Sequence, residues 1–223
     1  MSIKFGTASI VTDNLSYLLD ANEYPGSGTT WGEATGNGND GTLNGPTYNG
    51  GNQGYFEFDG SNDYVDLTTT PSGANPTFTF SFWVNFDNYS GHQRLVSGGR
   101  VDAGGQRFFI GYNNTSDTID CGIGSVTITP STDIKPTAGD WFNLVVSNLT
   151  TNTKFYLNGS LVSNNTHSNG GDTNATTPRL GKQYGSNSEY FNGKMAVASY
   201  YTARLTDAQI LSNYNALKGR FGL

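Results

Sequence analysis

Residues 77–86 read TFTFSFWVNF, with Phe78, Phe80, Phe82, Val84 and Phe86 at every second position and Thr77, Thr79, Ser81, Trp83 and Asn85 between them. Only an extended chain turns alternate side chains to opposite faces, so this period of two excludes a helix and dictates a strand with one apolar side. The other side is mostly polar, which predicts an antiparallel sheet resting on a second layer. A parallel sheet covered on both faces would be apolar throughout.

Shorter runs repeat the signal. YFEF at 55–58, DYVDL at 63–67, RLVS at 94–97, RFFIGY at 107–112, TIDCGIG at 118–124, SVTIT at 125–129, WFNLVVS at 141–147, KFYL at 154–157, SLV at 160–162 and KMAVASYY at 194–201 are each bounded by turn residues. Asn158 and Gly159, between KFYL and SLV, suit a tight hairpin that needs positive φ. Many short strands with closely spaced turns predict an all-β, two-sheet antiparallel jelly-roll sandwich. The 30 glycines and a charged fraction of only 13% argue against a helical bundle, and 13% aromatic residues argue against disorder.

One short C-terminal helix is expected from Asp207 to Lys218. Thr206 is a fitting N-cap, Gln209 can close a capping box, and Leu205 against Ile210 would form a hydrophobic staple. Ile210, Leu211, Tyr214 and Leu217 make an apolar stripe, and Gly219 can take the left-handed conformation after the last turn. No linker interrupts the chain, so residues 1–223 are read as a single domain. Residues 1–12, with Ile3, Phe5 and Ile10, precede the first clear strand and are either an edge strand or an arm docking on another subunit.

The formal charge of −6, with lysines and arginines scattered, provides no basic stripe for nucleic acid. No stretch is apolar for long enough to span a membrane, and the start MSIKFGTASIV carries no long apolar core of a secretion signal. Cys121 reads as a small buried hydrophobe.

Catalytic patterns are sparse. Glu23, Glu33, Glu57 and Glu189 stand far apart, and only Glu57 has a second carboxylate, Asp59, at the alternate-position spacing a glycosidase pair needs. Glu57 reads instead as a solvent-side strand residue, with Asp59 and Gly60 in a turn. His92 and His167 lie in polar loops without neighbouring metal ligands, and the sequences GSG at 26–28 and GNG at 36–38 are turns without a phosphate-binding lysine. Trp31, Trp83, Tyr112 and Tyr184 are the aromatics that could stack on a sugar. Three have a plainer reading: Trp31 as a core anchor like Trp141, Trp83 packed beneath a loop or the terminal helix, Tyr184 as a loop residue.

YFEFDGSNDYVDL, FTFSFWVNF, KFYLNGSLV and the closing FNGKMAVASYYTARLTDAQILSNYNALKGRFGL together resemble the laminin-G-like branch of the concanavalin A-like lectin and glucanase superfamily. The opening IVTDNLSYLLDANEYPGSGTTWGEATGNGNDGTLNGP and the closing run resemble versions of this jelly roll in virion proteins of tailed bacteriophages. The resemblance implies two curved sheets, with ligands held on a concave face or its rim. It also implies a structural Ca²⁺ at Asp59, Gly60 and Asp63, although Ala196 stands where relatives often carry an acid.

No cofactor is otherwise expected. The function implied is that of a non-enzymatic virion surface protein, a capsid decoration or fibre component with weak carbohydrate contact. Its partners would be other virion proteins, further copies of itself and a host surface glycan. The alternative is a host-glycan-binding adhesin at the tail, with a glycoside hydrolase ranked below both.

Overall fold

A computed structural model describes residues 4–5, 8–74, 76–99, 107–173, 178–185 and 188–223; Ile3 lies outside them. In chain order the strands are β1 (Lys4–Phe5), β2 (Ala8–Ser9), β3 (Leu15–Asp20), β4 (Thr30–Trp31), β5 (Gly41–Asn44), β6 (Thr47–Asn49), β7 (Tyr55–Asp59), β8 (Tyr64–Asp66), β9 (Phe78–Phe86), β10 (Gln93–Gly99), β11 (Arg107–Asn113), β12 (Thr118–Gly124), β13 (Val126–Ile128), β14 (Phe142–Leu149), β15 (Asn152–Leu157), β16 (Ser160–Thr166), β17 (Arg179–Leu180) and β18 (Asn192–Tyr201). One α-helix, α1 (Asp207–Leu217), follows. No described helix is long and apolar enough to cross a membrane.

Two antiparallel sheets form the expected sandwich. Sheet I runs β16-β15-β14-β9-β18-β7-β6, with β3 also pairing β18, and sheet II runs β13-β12-β11-β10-β17-β8-β5-β4. The apolar face of β9 does what its alternation requires: Phe78, Phe80, Phe82, Val84 and Phe86 all enter the core between the sheets, where they meet Val65, Leu95, Phe108, Ile110, Cys121 and Leu180 of sheet II. Cys121 is wholly buried there, and burial pushes its thiol pKa up. Asn158 and Gly159 both have positive φ, 50° and 76°, and close the β15–β16 hairpin as the turn chemistry dictates.

The second face of β9 departs from expectation. Thr79, Ser81, Trp83 and Asn85 are buried too, because the segment after β18 folds over the outside of sheet I. Thr79 Oγ1 donates to the Ala203 carbonyl at 2.9 Å and accepts from Leu205 N at 3.0 Å. Trp83 is stacked between Tyr214 and Phe221, with centroids at 5.7 and 4.3 Å. The roof is pinned by Arg220, whose guanidinium holds both oxygens of buried Asp20 at 2.7 and 2.9 Å.

Helix α1 has its predicted start: the capping box between Thr206 and Gln209 is formed, and Leu205 and Ile210 are both buried in the outer cluster. Its end differs. The chain tightens into a 3₁₀ turn over Lys218–Phe221, and the left-handed residue is Gly222, not Gly219. That extra turn is what carries Phe221 onto Trp83. Leu211, expected in the apolar stripe, is 47% exposed, whereas Asn213 is buried and bonds Val11 N and the Tyr201 hydroxyl.

The described opening residues join neither main sheet. Strands β1 and β2 pair antiparallel with each other, and Ser212 of α1 donates to the Ser9 carbonyl. Ile10 is buried in the outer cluster with Leu18 and Trp83. The described part of residues 1–12 therefore packs on the chain's own terminal helix.

Candidate functional site

Among the described residues the outer face of sheet II has no covering segment comparable to the roof on sheet I, and register shows what lies on it. Core residues Trp31, Val65, Val96, Phe108, Ile110, Ile123 and Leu180 point inward, so their neighbours point out. One cross-strand row links Thr127, Gly122, Phe109, Ser97, Arg179, Asp66, Thr42 and Thr30, each paired with the next. Phe109 lies flat because Gly122 has no side chain; a Cβ there would stand 2.1 Å from the Phe109 ring.

Two arginines sit on this phenylalanine, Arg94 at 4.2 Å and Arg107 at 5.2 Å from its centroid. Arg94 is a buried hub. Its Nε donates to Gln183 Oε1 at 3.0 Å, its Nη1 to the Tyr112 carbonyl at 3.2 Å, and its Nη2 pairs with Glu189 at 2.6 Å. Burial pulls its pKa below the ordinary value and Glu189 draws it back up. Arg107 gives a hydrogen bond to Thr127 Oγ1 at 2.8 Å.

Beyond Phe109 the row becomes a ladder of alternating cations and tyrosines. Arg179 lies over Tyr64 at 4.7 Å and Tyr184 at 5.7 Å, and Lys182 lies 4.9 Å from both Tyr64 and Tyr190. Asp66 fixes Arg179 through a 2.8 Å ion pair. The Ser97 hydroxyl bonds the Lys182 carbonyl and Tyr184 N, so the loop carrying Lys182, Gln183 and Tyr184 is tied down on β10. Tyr64, Tyr184 and Tyr190 are each half-buried, and Lys182 among them is 8% exposed. The ladder ends at an open cleft of about 480 Å³, lined by Gly60, Ser61, Ser90, His92, Glu189 and Tyr190.

The four aromatics singled out in the sequence do not come together. Trp31 is fully buried against Phe56 in the core, Trp83 lies under the sheet I roof, and Tyr112 projects into the core with its hydroxyl on Asp117. None of these three offers a ring face to a ligand. Tyr184 alone belongs to the cation–tyrosine ladder.

Missed in the sequence were Tyr64, Arg94, Arg107, Phe109, Arg179, Lys182, Glu189 and Tyr190. A signal existed for some of them: in RFFIGY, Phe109 falls in phase with Arg107, opposite to Phe108 and Ile110, and in DYVDL Tyr64 and Asp66 fall opposite to Val65.

The FDG turn uses its own oxygens. Asp59 Oδ1 accepts from Ser61 N and Asn62 N, while Asp63 Oδ2 accepts from Asp59 N at 3.0 Å. Burial raises the Asp63 pKa, and Ala196 is wholly buried in the cluster that holds Trp83. These residues do not fit a calcium site, since the carboxylates already serve backbone amides and Ala196 brings no oxygen. No cluster of three or more His, Cys, Asp or Glu suited to a metal occurs among the described residues.

Glu57 accepts from Asn49 at 3.1 Å and faces Lys194 across the β7–β18 pair, which leaves it a strand-surface role. His92 Nδ1 accepts from Asn114 N. His167 is anchored more firmly than a solvated loop residue, with its ring on Thr153, Asn148 and the Ser168 carbonyl.

Residues 59–211 match the family model described as the concanavalin A-like lectin/glucanases superfamily. No curated protein matches the sequence. Among solved structures, domain 4 of AbnA, a GH43 extracellular arabinanase from Geobacillus stearothermophilus, in complex with arabinotriose, superposes with a TM-score of 0.68 at 19% identity, over 90% of this chain and 98% of that one. Trypanosoma rangeli sialidase in complex with sialic acid gives 0.71 at 14% identity over 98% of this chain, which spans only 36% of the sialidase. The binding domain of Paraclostridial Mosquitocidal Protein 1 gives 0.65 at 15% identity over 91% of this chain and 52% of that one. At these identities the likeness is one of fold.

Proposed function

Because the chain belongs to the concanavalin A-like lectin/glucanases superfamily, we propose that it is a non-enzymatic recognition module that contacts carbohydrate through the outer face of sheet II. The observation that carries this reading is the half-buried set Tyr64, Tyr184 and Tyr190, interleaved with Arg179 and Lys182 beside an open polar cleft. Tyrosine edges and hydroxyls suit sugar rings, and fixed cations and amides suit sugar oxygens. A domain of the same fold solved with arabinotriose supports the same reading.

Catalysis by a pair of carboxylates has little support. Glu189 is committed to Arg94, Asp120 is wholly buried, and Glu57 lies on the other sheet. The setting we assign is the outside of a tailed-phage particle, in decoration or fibre, on the strength of the sequence resemblance at both ends of the chain; repeated copies there would turn weak contacts into useful avidity.

A glycan array tests the module directly. Retention of at least one oligosaccharide, lost on Tyr64→Ala or Tyr184→Ala with the fold intact, is the expected result. Uniform absence of binding would end the carbohydrate reading, and antibody labelling that fails to decorate intact particles would end the virion setting.

A further inference from the structure

The charges on the same face bear on which glycan it takes, an inference that rests on the carbohydrate reading above. We propose that the outer face of sheet II selects an acidic glycan, one whose sugars carry carboxylates, over its neutral counterpart. The chain has a formal charge of −6, yet Arg94, Arg107, Arg179 and Lys182 gather on this one face.

Cations kept only for stability are commonly neutralised by carboxylates of the fold, and two of these are: Arg94 by Glu189 and Arg179 by Asp66. Among the described residues neither Arg107 nor Lys182 has a carboxylate within 4.0 Å, and both rest instead on aromatic rings.

The Arg107 fork is also incompletely used. One Nη2 bond goes to Thr127, while its Nε is buried without a hydrogen-bond partner among the described residues. The buried Nε is closed to a ligand, so a planar carboxylate would meet Arg107 end-on, at its terminal nitrogens. The two arginine-bearing sectors lie along one ladder row: Phe109, beneath Arg107, pairs with Ser97, and Ser97 pairs with Arg179. Two strand spacings amount to about 10 Å, a length that a short oligosaccharide spans. Acid groups on successive sugars can then meet Arg107 at one end and the Arg179–Lys182 ladder at the other, with the tyrosines beside that ladder contacting the rings.

An array of carboxylated and neutral oligosaccharides, followed by calorimetry of the tightest carboxylated one against its methyl ester, decides the matter. The acid should bind about ten-fold more tightly than the ester, with the gap narrowing as salt rises. Arg107→Gln should remove most of that gap by weakening the acid far more than the ester. Lys182→Gln, checked by thermal melting, is the second variant should the first not fold.

Equal affinity for acid and ester, a neutral glycan as the leading ligand, or an unchanged gap in both variants overturns the acidic selectivity while leaving carbohydrate recognition standing. Absence of binding to every glycan removes the recognition reading and this inference with it.

Discussion

Trp83 and Phe109 occupy corresponding places on opposite sides of the sandwich: each is an aromatic on the outward side of an interior strand, in phase with polar neighbours. Their surroundings differ. Trp83 has an aromatic lid, with Phe221 and Tyr214 stacked on it and the terminal segment locked by Arg220 and Asp20. Phe109 is covered by two guanidinium groups. A hydrocarbon lid makes an outward face into a second core, whereas a lid of charged side chains keeps it polar. The outside of sheet I is therefore structural, and the outside of sheet II carries the face proposed above to meet a ligand.

If that contrast is right, damage to the sheet I roof should act on stability. Trp83→Ala empties the centre of the outer cluster and is expected to cost about 3–5 kcal/mol in denaturant unfolding; a loss below 1 kcal/mol would mean that the roof is not packed as a core. Arg220→Ala leaves Asp20 buried without its partner and should cost about 3 kcal/mol, at the low end for a broken buried pair. Both residues of the pair are well shielded from solvent, so raised salt should not reproduce the effect. Thr206→Ala removes only the N-cap of α1 and should cost about 1 kcal/mol. A much larger loss would show that docking of the whole terminal segment depends on that one cap.

The difference between the two faces was only partly written in the sequence. Alternation fixed the inward set of β9 and the phases of β7, β11 and β14, because a side chain's face follows from position alone. Alternation cannot report whether an outward face is roofed, since the roof comes from residues far along the chain; Trp83 and Phe221 are joined only by the fold. Strand β3 escaped notice for a related reason. LSYLLD puts Tyr17 and Leu19 in the core and Leu15 and Leu18 in the outer cluster, so burial on both faces erased the period of two. The ladder was hidden because its members come from β8, β17 and the loop after β17, and Arg179–Leu180 is too short to announce itself as a strand. The capping box at Thr206 was legible because it is local: every partner lies within three residues.

The smallest expected effect probes the polar lid of sheet II itself. Asp120 is wholly buried on β12; its Oδ2 accepts from Asn113 at 2.6 Å and Ser116 at 3.0 Å, and the Thr129 hydroxyl also acts on the carboxylate. Burial raises its pKa, so the folded state holds this proton more tightly than the unfolded chain does. The stability it contributes is then fully present below the unfolded carboxyl value, about 3.9, and is lost as pH rises through the higher folded value. Asp120→Asn keeps an oxygen for Asn113 and Ser116 and cannot ionise. It should melt at a slightly higher temperature than the native chain at pH 7, with the difference closing toward pH 4. If it instead melts lower at pH 7, the charge is held favourably by Arg94, and the outer face of sheet II would be an ion-paired scaffold with less positive charge free for a ligand.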